Sequence, residues 1–388
     1  MIELFDKNSQ RIPILMWVSD VNDLEPETLN QARNLSVLPI AFDHIALMPD
    51  AHQGYGMPIG GVMAVKDAVI PYAVGLDIGC GMHSVQTNVK ASEFAKVKLH
   101  FAMSRIVKAI PQGFNWHKKP QKGEVLDEIP EDVGILREER QNIKHQLGTL
   151  GGGNHFIEFQ KDKQDKLWIM IHSGSRNIGK KVAEHFHKRA VKRCKAENIE
   201  LPTSELSFFP ADSFDGEEYL TAMKWCLKFA KASRARMMDT VLDILQETPV
   251  KRLDIHHNYA SWEKHYGEKV LIHRKGATCA EAGRDGIIPG SMGSNSYITV
   301  GKGKPESFNS SAHGAGRRMG RNAARRAIKV EKVLREMDEM GILVSASNKK
   351  ELPEESPEAY KDIDEVMAQQ SDLVEIRTVL KPIGVIKG

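Results

Sequence analysis

Cysteine is sparse in this chain: Cys80, Cys194, Cys226 and Cys279 are the only four among 388 residues, and no two form a Cys-x-x-Cys pair. Such isolated cysteines exclude a disulfide framework and a structural zinc knuckle, and they fit a reducing compartment. The opening residues Met1-Ile2-Glu3-Leu4-Phe5-Asp6 lack the basic segment and apolar stretch of a secretory leader. No apolar run approaches the roughly 20 residues that cross a bilayer. An excess of one charge is missing too. The formal net charge is only +3, so any surface for nucleic acid has to be local. No repeat of fixed period is present. These absences lead to the expectation of a cytoplasmic protein with no membrane partner.

What is present is ordinary for a globular enzyme: 41% hydrophobic and 27% charged residues. Length alone permits two or three domains at roughly 150 residues each. Short apolar runs at Ile45–Met48, Val62–Val65, Leu167–His172 and Val270–His273 read as strands, several leading into glycine-rich turns. Phe114–Gly123 is a basic, proline-containing loop and a candidate contributor to substrate choice. Ser345–Asp362, polar with Pro353 and Pro357, reads as a surface connection.

Helical spacing predicts three helices. Lys181–Asn198 is basic and amphipathic. Glu217–Gln246 carries the core stripe Leu220, Met223, Leu227 and Ala230 and stops before Pro249. The third, about Gly316–Met340, has an apolar face of Ala323, Ala327, Val330, Leu334 and Met337. Opposite lie Arg318, Arg321, Arg325, Lys329 and Lys332, with no acid at those positions. A solvated face and a phosphate track both fit this stripe, and the missing acids favour the second.

The chemistry concentrates in turns. Met48-Pro49-Asp50-Ala51-His52-Gln53-Gly54-Tyr55-Gly56 is followed by Val74-Gly75-Leu76-Asp77-Ile78-Gly79-Cys80-Gly81-Met82. Asp77 and Cys80, three residues apart among glycines, suit one metal centre, although a lone cysteine also serves as a small buried side chain. His155 in Gly151-Gly152-Gly153-Asn154-His155, His172 at the end of a strand, the pair His256-His257 and His313 in Ala312-His313-Gly314 each sit beside Asn, Gly or Ser. Together they offer enough imidazole, carboxylate and thiolate for a mono- or dinuclear site.

Gly174-Ser175-Arg176-Asn177-Ile178-Gly179-Lys180-Lys181 nearly matches a phosphate-binding loop. Its last position is Lys181, where that motif needs a magnesium-holding hydroxyl. The Lys-x-Asp-Gly signature of lysine-adenylating ligases is absent.

Nine motifs in order, MPDAHQGYG, VGLDIGCGM, LGGGNHFIE, IHSGSR, HHNYA, HRKGAT, IPGSMGSNSY, AHGAGR and KPIGVIKG, resemble the motif series of RtcB-type RNA ligases from about Met48 to Lys387. The resemblance implies an α/β fold, with mixed β-sheets around a metal-lined cleft, in one catalytic domain over residues 1–388. It implies two Mn²⁺ ions on Asp77, Cys80, His155, His172 and His257, with Cys80 bridging, and GTP as the consumed nucleotide. Family spacing favours His257 over His256. His313 falls on the histidine that becomes guanylated. Asn154, Glu158, His257, Asn258, Pro289, Gly290, Ser291, Met292, Ser296, Gly314, Ala315, Gly316 and Lys387 fall on nucleotide-contacting positions. Arg274, Lys275 and Arg317 read either as phosphate clamps or as surface charge.

The partners implied are RNAs with broken ends, such as tRNA halves or nuclease-cut RNA, and the resemblance leaves room for an activating protein. The ligand types alone suit zinc at least as well, since manganese sits at the weak end of the divalent series. Three other readings remain open on the residues: a metal-dependent phosphoesterase acting on cyclic phosphate or nucleotide ends, a non-ligating RNA-end-binding protein, and a P-loop NTPase. The phosphoesterase needs the metal ligands but not His313, and a pure binder needs no nucleophile.

Overall fold

The computed structural model describes residues 1–94 and 96–388. Its fold is mixed α/β, built on two large sheets. The six-stranded sheet runs in the order Ile2–Leu4, Ile14–Met16, Ala41–His52, Ile59–Val65, Glu268–Lys275, Asn258–His265. The larger sheet runs Pro249–His256, Gly81–Lys90, Lys166–Ser173, Phe156–Lys161, Val374–Lys387, Ser296–Gly301, Asp285–Ile288, with Leu343–Ala346 parallel beside Val374–Lys387. All four predicted strands fall inside observed ones.

The middle of the larger sheet is buried on both faces, and its strand Lys166–Ser173 accordingly carries the continuous apolar run Leu167–Ile171. Alternation still sorts the side chains. Ile169, Ile171, Ile157, Phe159 and Val85 pack with Leu99, Met103 and Ile106 of helix Lys96–Ala109 and with Met237, Met238 and Val241 of helix Phe214–Leu245. Met82, Trp168 and Met170 face the other way, onto Ala324, Ile328, Val333 and Met337.

Helix Phe214–Leu245 is capped by Ser213, whose side chain accepts from the Gly216 N–H, with Asp215 and Glu217 in its first turn. It ends at Gln246 in the left-handed region, before Pro249. Its predicted stripe is core, as the spacing requires, and the helix reaches two cores. Tyr219, Met223 and Phe229 pack beside the smaller sheet, whereas Met237 to Leu245 lie under the larger one. The helix predicted at Lys181–Asn198 spans Arg176–Ala196. Among the described residues no helix is long and apolar enough to cross a membrane.

Two expectations need correction. The helix expected over Gly316–Met340 is two short helices, Arg321–Ala327 and Val330–Glu339, separated by Ile328 and Lys329 in extended conformation. Ala323 and Ala327 are exposed, while Ala324 and Ile328 are buried. The break lets both pieces lay apolar residues on the same core, and no proline or glycine marks it. Secondly, Ser345–Asp362 is not a surface connection. It begins within the strand Leu343–Ala346 and continues as the 3₁₀ segment Lys349–Glu355, with Leu352, Glu354, Glu355 and Ser356 buried. Glu354 and Glu355 are buried despite their charge, because each has a cationic partner.

Candidate active site

Antiparallel pairing explains why residues far apart in sequence meet. Pro249–His256, Gly81–Lys90, Lys166–Ser173 and Phe156–Lys161 are neighbours, with His256 opposite Gly81, Met82 opposite His172, and His172 opposite Phe156. Cys80 and His155 immediately precede two of these strands. His172 and His257 lie at the ends of the other two. All four therefore stand at one end of the sheet. His257 is also the single residue between a strand of the larger sheet and a strand of the smaller one, so the cluster sits where the chain crosses between them.

The donor atoms form a chain. Asp77 Oδ2 is 3.1 Å from His155 Nε2, which is 3.5 Å from Cys80 Sγ. Cys80 Sγ is 3.2 Å from His172 Nε2, itself 3.4 Å from His257 Nε2. His155 Nδ1 lies 3.0 Å from the Leu150 carbonyl and His172 Nδ1 lies 3.1 Å from that of Asn154. These carbonyls accept the Nδ1 protons, which leaves each Nε2 lone pair facing the cluster. Gly174 permits the approach of Asp77, since a Cβ there would stand 2.2 Å from its carboxylate.

Burial pushes the His172 and His257 imidazoles well below the ordinary histidine range, so both are neutral donors. Burial, reinforced by the Asp77 charge, pushes the Cys80 thiol well up. A cation reverses that preference, because a coordinated thiol gives up its proton. Burial also pushes the Asp77 carboxyl upward, but the bond to His155 outweighs it and holds Asp77 below its usual value. Cys80, His155 and His172 place their donor atoms within 4.8 Å of one another, and with the Asp77 carboxylate beside His155 and the neutral His257 beside His172 the set fits a transition metal.

His256 turns away. Its Nδ1 faces the Gly79 carbonyl and the guanidinium of Arg234, and burial lowers it to about 4. Arg234 stands directly behind the cluster, with no motif to announce it. It is fully buried, and its five N–H donors are all engaged: Asp254 bidentately, the carbonyls of Gly79 and Ser173, and His256 Nδ1. Gly79, Ser173 and His256 adjoin Cys80, His172 and His257 respectively. One side chain thus ties together three segments that carry candidate metal ligands.

His313 continues the row, its ring packed edge-on to His257 with centroids 4.7 Å apart. The carboxylate of Asp50 accepts from His313 Nδ1 at 2.7 Å and from its backbone N–H at 3.2 Å. Asp50 is fully buried, and its Oδ1 has no partner among the described residues. With Nδ1 engaged, Nε2 is the free nitrogen of the ring. Asp50 stood in a recognised motif, but 263 residues from His313, and no spacing rule links the two. Gly316, with φ +74°, lets the His313 turn lie on the Asp50 backbone, where a Cβ would come within 2.3 Å.

A cavity of about 690 Å³ opens onto the row. Its wall includes Asp77, Cys80, His172, His257 and His313 together with Asn154, Glu158, Asn258, Pro289 to Met292, Gly314 to Gly316 and Lys387. Two expected residues stand behind the wall. His155 belongs to the cluster, and Ser296 braces it, its Oγ accepting from the Gly290 N–H and from Gln160, which also donates to Glu158. Asn258 lines the cavity, but both ends of its amide hold backbone: Nδ2 donates to the Asp77 carbonyl and Oδ1 accepts from Gly276.

Burial lifts the Glu158 carboxyl to about 8. Lys387 bonds Glu355, which is held low, against the push of burial, by Lys387 and Arg317. Glu355 and Tyr360 both line the cavity, and neither was legible beforehand.

The three candidate phosphate clamps separate. Arg274 is fully buried, paired with Glu263 and bonded to Ser310 and the Phe308 carbonyl, so it is structural. Lys275 lines the cavity, its ammonium on the carbonyls of Tyr55 and Tyr72, and burial lowers it to about 7. Arg317 lines it too, held by Glu355, Tyr360 and the Glu354 carbonyl. In the basic stripe, Arg321 and Arg325 pair with Glu354, and Lys332 pairs with Glu358. Arg321 alone of the stripe reaches the cavity wall. The near-P-loop is likewise structural there: Lys181 pairs with Glu139, and Gly174 makes room for Asp77.

A mixed α/β fold with this donor row and an oriented histidine in one cavity defines a candidate metal centre beside a candidate nucleophile. The family model described as tRNA-splicing ligase RtcB matches residues 31–133 and 128–388. The chain is 38% identical to the RNA-splicing ligase RtcB of Escherichia coli K12, covering 98% of both chains. It is 34% identical to the tRNA-splicing ligase RtcB of Nanoarchaeum equitans, covering 100% of this chain and 97% of that one. Against the enzyme of the same name from Thermococcus kodakarensis it is 31% identical, with coverage of 100% and 97%. The chain belongs to the RtcB family of ligases.

Proposed function

We propose that the protein is an RNA ligase that joins an end bearing a 2′,3′-cyclic phosphate or 3′-phosphate to a 5′-hydroxyl end, consuming GTP through a guanylyl-histidine at His313. The observation that carries this reading is the His313–Asp50 pair set at the end of the donor row, inside the cavity that also holds Glu158 and Lys387. Cys80 stands midway along the row, between His155 and His172, and would supply a thiolate to the metal site. Asp77 and His155 would serve one ion, His172 and His257 the second, with manganese as the family's metal. Bound there, the metals neutralise charge on phosphate oxygens and orient the leaving group.

The chain's own residues do the rest. Asp50 holds the Nδ1 proton of His313, so that neutral Nε2 attacks the α-phosphorus of GTP and pyrophosphate departs. Asn154, Pro289 to Met292 and Gly314 to Gly316 form walls against which the nucleotide lies. Glu158 and Lys387 offer an acceptor and a donor to the guanine edge. After the cyclic phosphate is opened, the RNA 3′-phosphate takes GMP from His313. The 5′-hydroxyl then displaces GMP and seals the strand. Splicing of tRNA and repair of cut RNA both present such ends.

The test is to incubate the purified protein with Mn²⁺ and α-labelled GTP, denature it, and follow the label. We expect acid-labile label on the wild type and none on His313→Ala, together with joining of a 3′-phosphate RNA to a 5′-hydroxyl RNA by the wild type. Absence of label on metal-loaded wild type would overturn the reading in favour of a metal-dependent phosphoesterase.

A further inference from the structure

The loop Phe114–Gly123 has no part in the chemistry above, yet it is fixed against the loop that carries it. The N–H of Gly113 donates to the Gly151 carbonyl at 2.8 Å, and Arg176 donates to the Gly113 carbonyl at 3.0 Å. Gly151 opens the turn that leads through Asn154 to His155. Farther along, His117 N–H donates to the His145 carbonyl, Gln121 N–H to that of Lys144, and Arg236 to that of Lys122. The backbone is therefore anchored along its length rather than free.

On this anchored backbone the side chains point outward. Phe114 is fully exposed and Trp116 is exposed over about a third of its surface. Lys118, Lys119 and Lys122 are exposed, and none has an ion-pair partner among the described residues. Positions 114–123 contain no acid. Among the described residues, unpaired lysines also occur on helix Arg176–Ala196, at Lys188, Lys192 and Lys195, but that helix exposes no aromatic side chain, and its Lys181 and Arg189 are matched by Glu139 and by Asp215 and Glu218. A pinned loop that spends two aromatics and three unmatched lysines on solvent has the make-up of a single-strand site. Aromatic faces accept stacked bases, and nearby ammonium groups follow the phosphates.

Resting on the RNA-ligase reading, we propose that Phe114–Gly123 is the docking platform for the single-stranded RNA end entering the active site, with Phe114 and Trp116 as stacking surfaces and the three lysines as phosphate contacts. Stacking is indifferent to base identity, so the platform accepts many sequences while excluding a fully paired end. Its attachment to the Gly151 turn sets the RNA path beside the segment bearing Asn154 and His155.

The test uses the full chain and a fluorescent single-stranded RNA of about ten nucleotides with a 3′-phosphate, read by anisotropy. Phe114→Ala is expected to weaken binding by about tenfold, and Phe114→Trp to restore it. Lys118→Gln, Lys119→Gln and Lys122→Gln together are expected to flatten the salt dependence by about two in log–log slope. Phe114 is solvent-exposed, so its variants fold, and their melting curves confirm it. Equal affinity in the wild type and Phe114→Ala overturns the proposal and leaves the patch to a protein partner. Absence of RNA binding by the wild type overturns it as well. Labelling of the wild type by GTP, read in parallel, reports on the ligase reading alone. Its failure removes that reading without altering the affinity comparison.

Discussion

The pair Asp50–His313 allows a sharp prediction. Asp50→Asn keeps the shape of the side chain and exchanges a carboxylate for an amide. The carboxylate accepts from Nδ1 at 2.7 Å and from the His313 N–H at 3.2 Å, away from solvent. A hydrogen bond to a charged group contributes roughly 1.5–3 kcal/mol, which corresponds to about 10- to 150-fold in rate. The amide has a second, larger effect. If its NH₂ group donates to Nδ1, the ring proton moves to Nε2 and the attacking lone pair is lost. A tautomer error of that kind lowers kcat by about 10⁴ in a serine-protease triad. Asp50→Ala loses the orienting bond but imposes no wrong donor. The expected order of labelling rates with α-labelled GTP is therefore wild type, then Ala, then Asn. Asn should fall at least about 100-fold below wild type. Single-turnover quenching measures this, with melting curves to verify folding. Labelling of Asp50→Asn at the wild-type rate, or faster than Asp50→Ala, would refute the tautomer argument.

Two further predictions concern residues that shape the site. Glu158 sits near 8 because it is buried, so it is mostly protonated at neutral pH. Accepting N–H groups from guanine requires its carboxylate, hence GTP binding releases a proton. Affinity should fall by up to about tenfold per pH unit below 8 and level off above it. Calorimetry in buffers of different ionisation enthalpy checks the proton release, and a flat profile would sink the assignment. The nucleotide-free fold has the opposite bias: stability from the raised Glu158 is present in acid and lost as pH rises through about 8. Arg234→Lys keeps the charge but supplies at most three donors in place of five. Breaking a buried pair costs about 3–5 kcal/mol, and loosening residues behind metal ligands lowers affinity by about 10- to 100-fold. A Mn²⁺ titration of the folded variant that matches wild type would show that Arg234 does not position the ligands.

Much of the site was legible before folding because it lies in turns whose composition is chemically unusual. Cys80 between two glycines, and His155 and His313 beside glycine or asparagine, announce themselves. Helix Phe214–Leu245 was legible because its stripe repeats at helical spacing and its end is marked by Pro249. The break at Ile328 and Lys329 was not, since packing on the core decides it against local propensity. Nor was the burial of Glu354 and Glu355. A polar, proline-containing stretch looks like a surface loop until Arg317, Arg325 and Lys387 are seen to meet it.

The division follows from where the determining forces act. Local composition and spacing determine the strands, the long helix and the motif turns, and the resemblance of those motifs to a known series singles out Asp77, Cys80, His155, His172, His257 and His313 as candidates. Nothing local could disclose that Asp50 orients His313, that Arg234 ties Gly79, Ser173 and His256, or that Arg274 is sealed in the core while Lys275 faces the cavity. Arg274 and Lys275 are neighbours on one strand, and alternation sends them to opposite faces of the sheet. Which face lines the cavity depends on how the two sheets meet at His257, and that is a property of long-range packing alone.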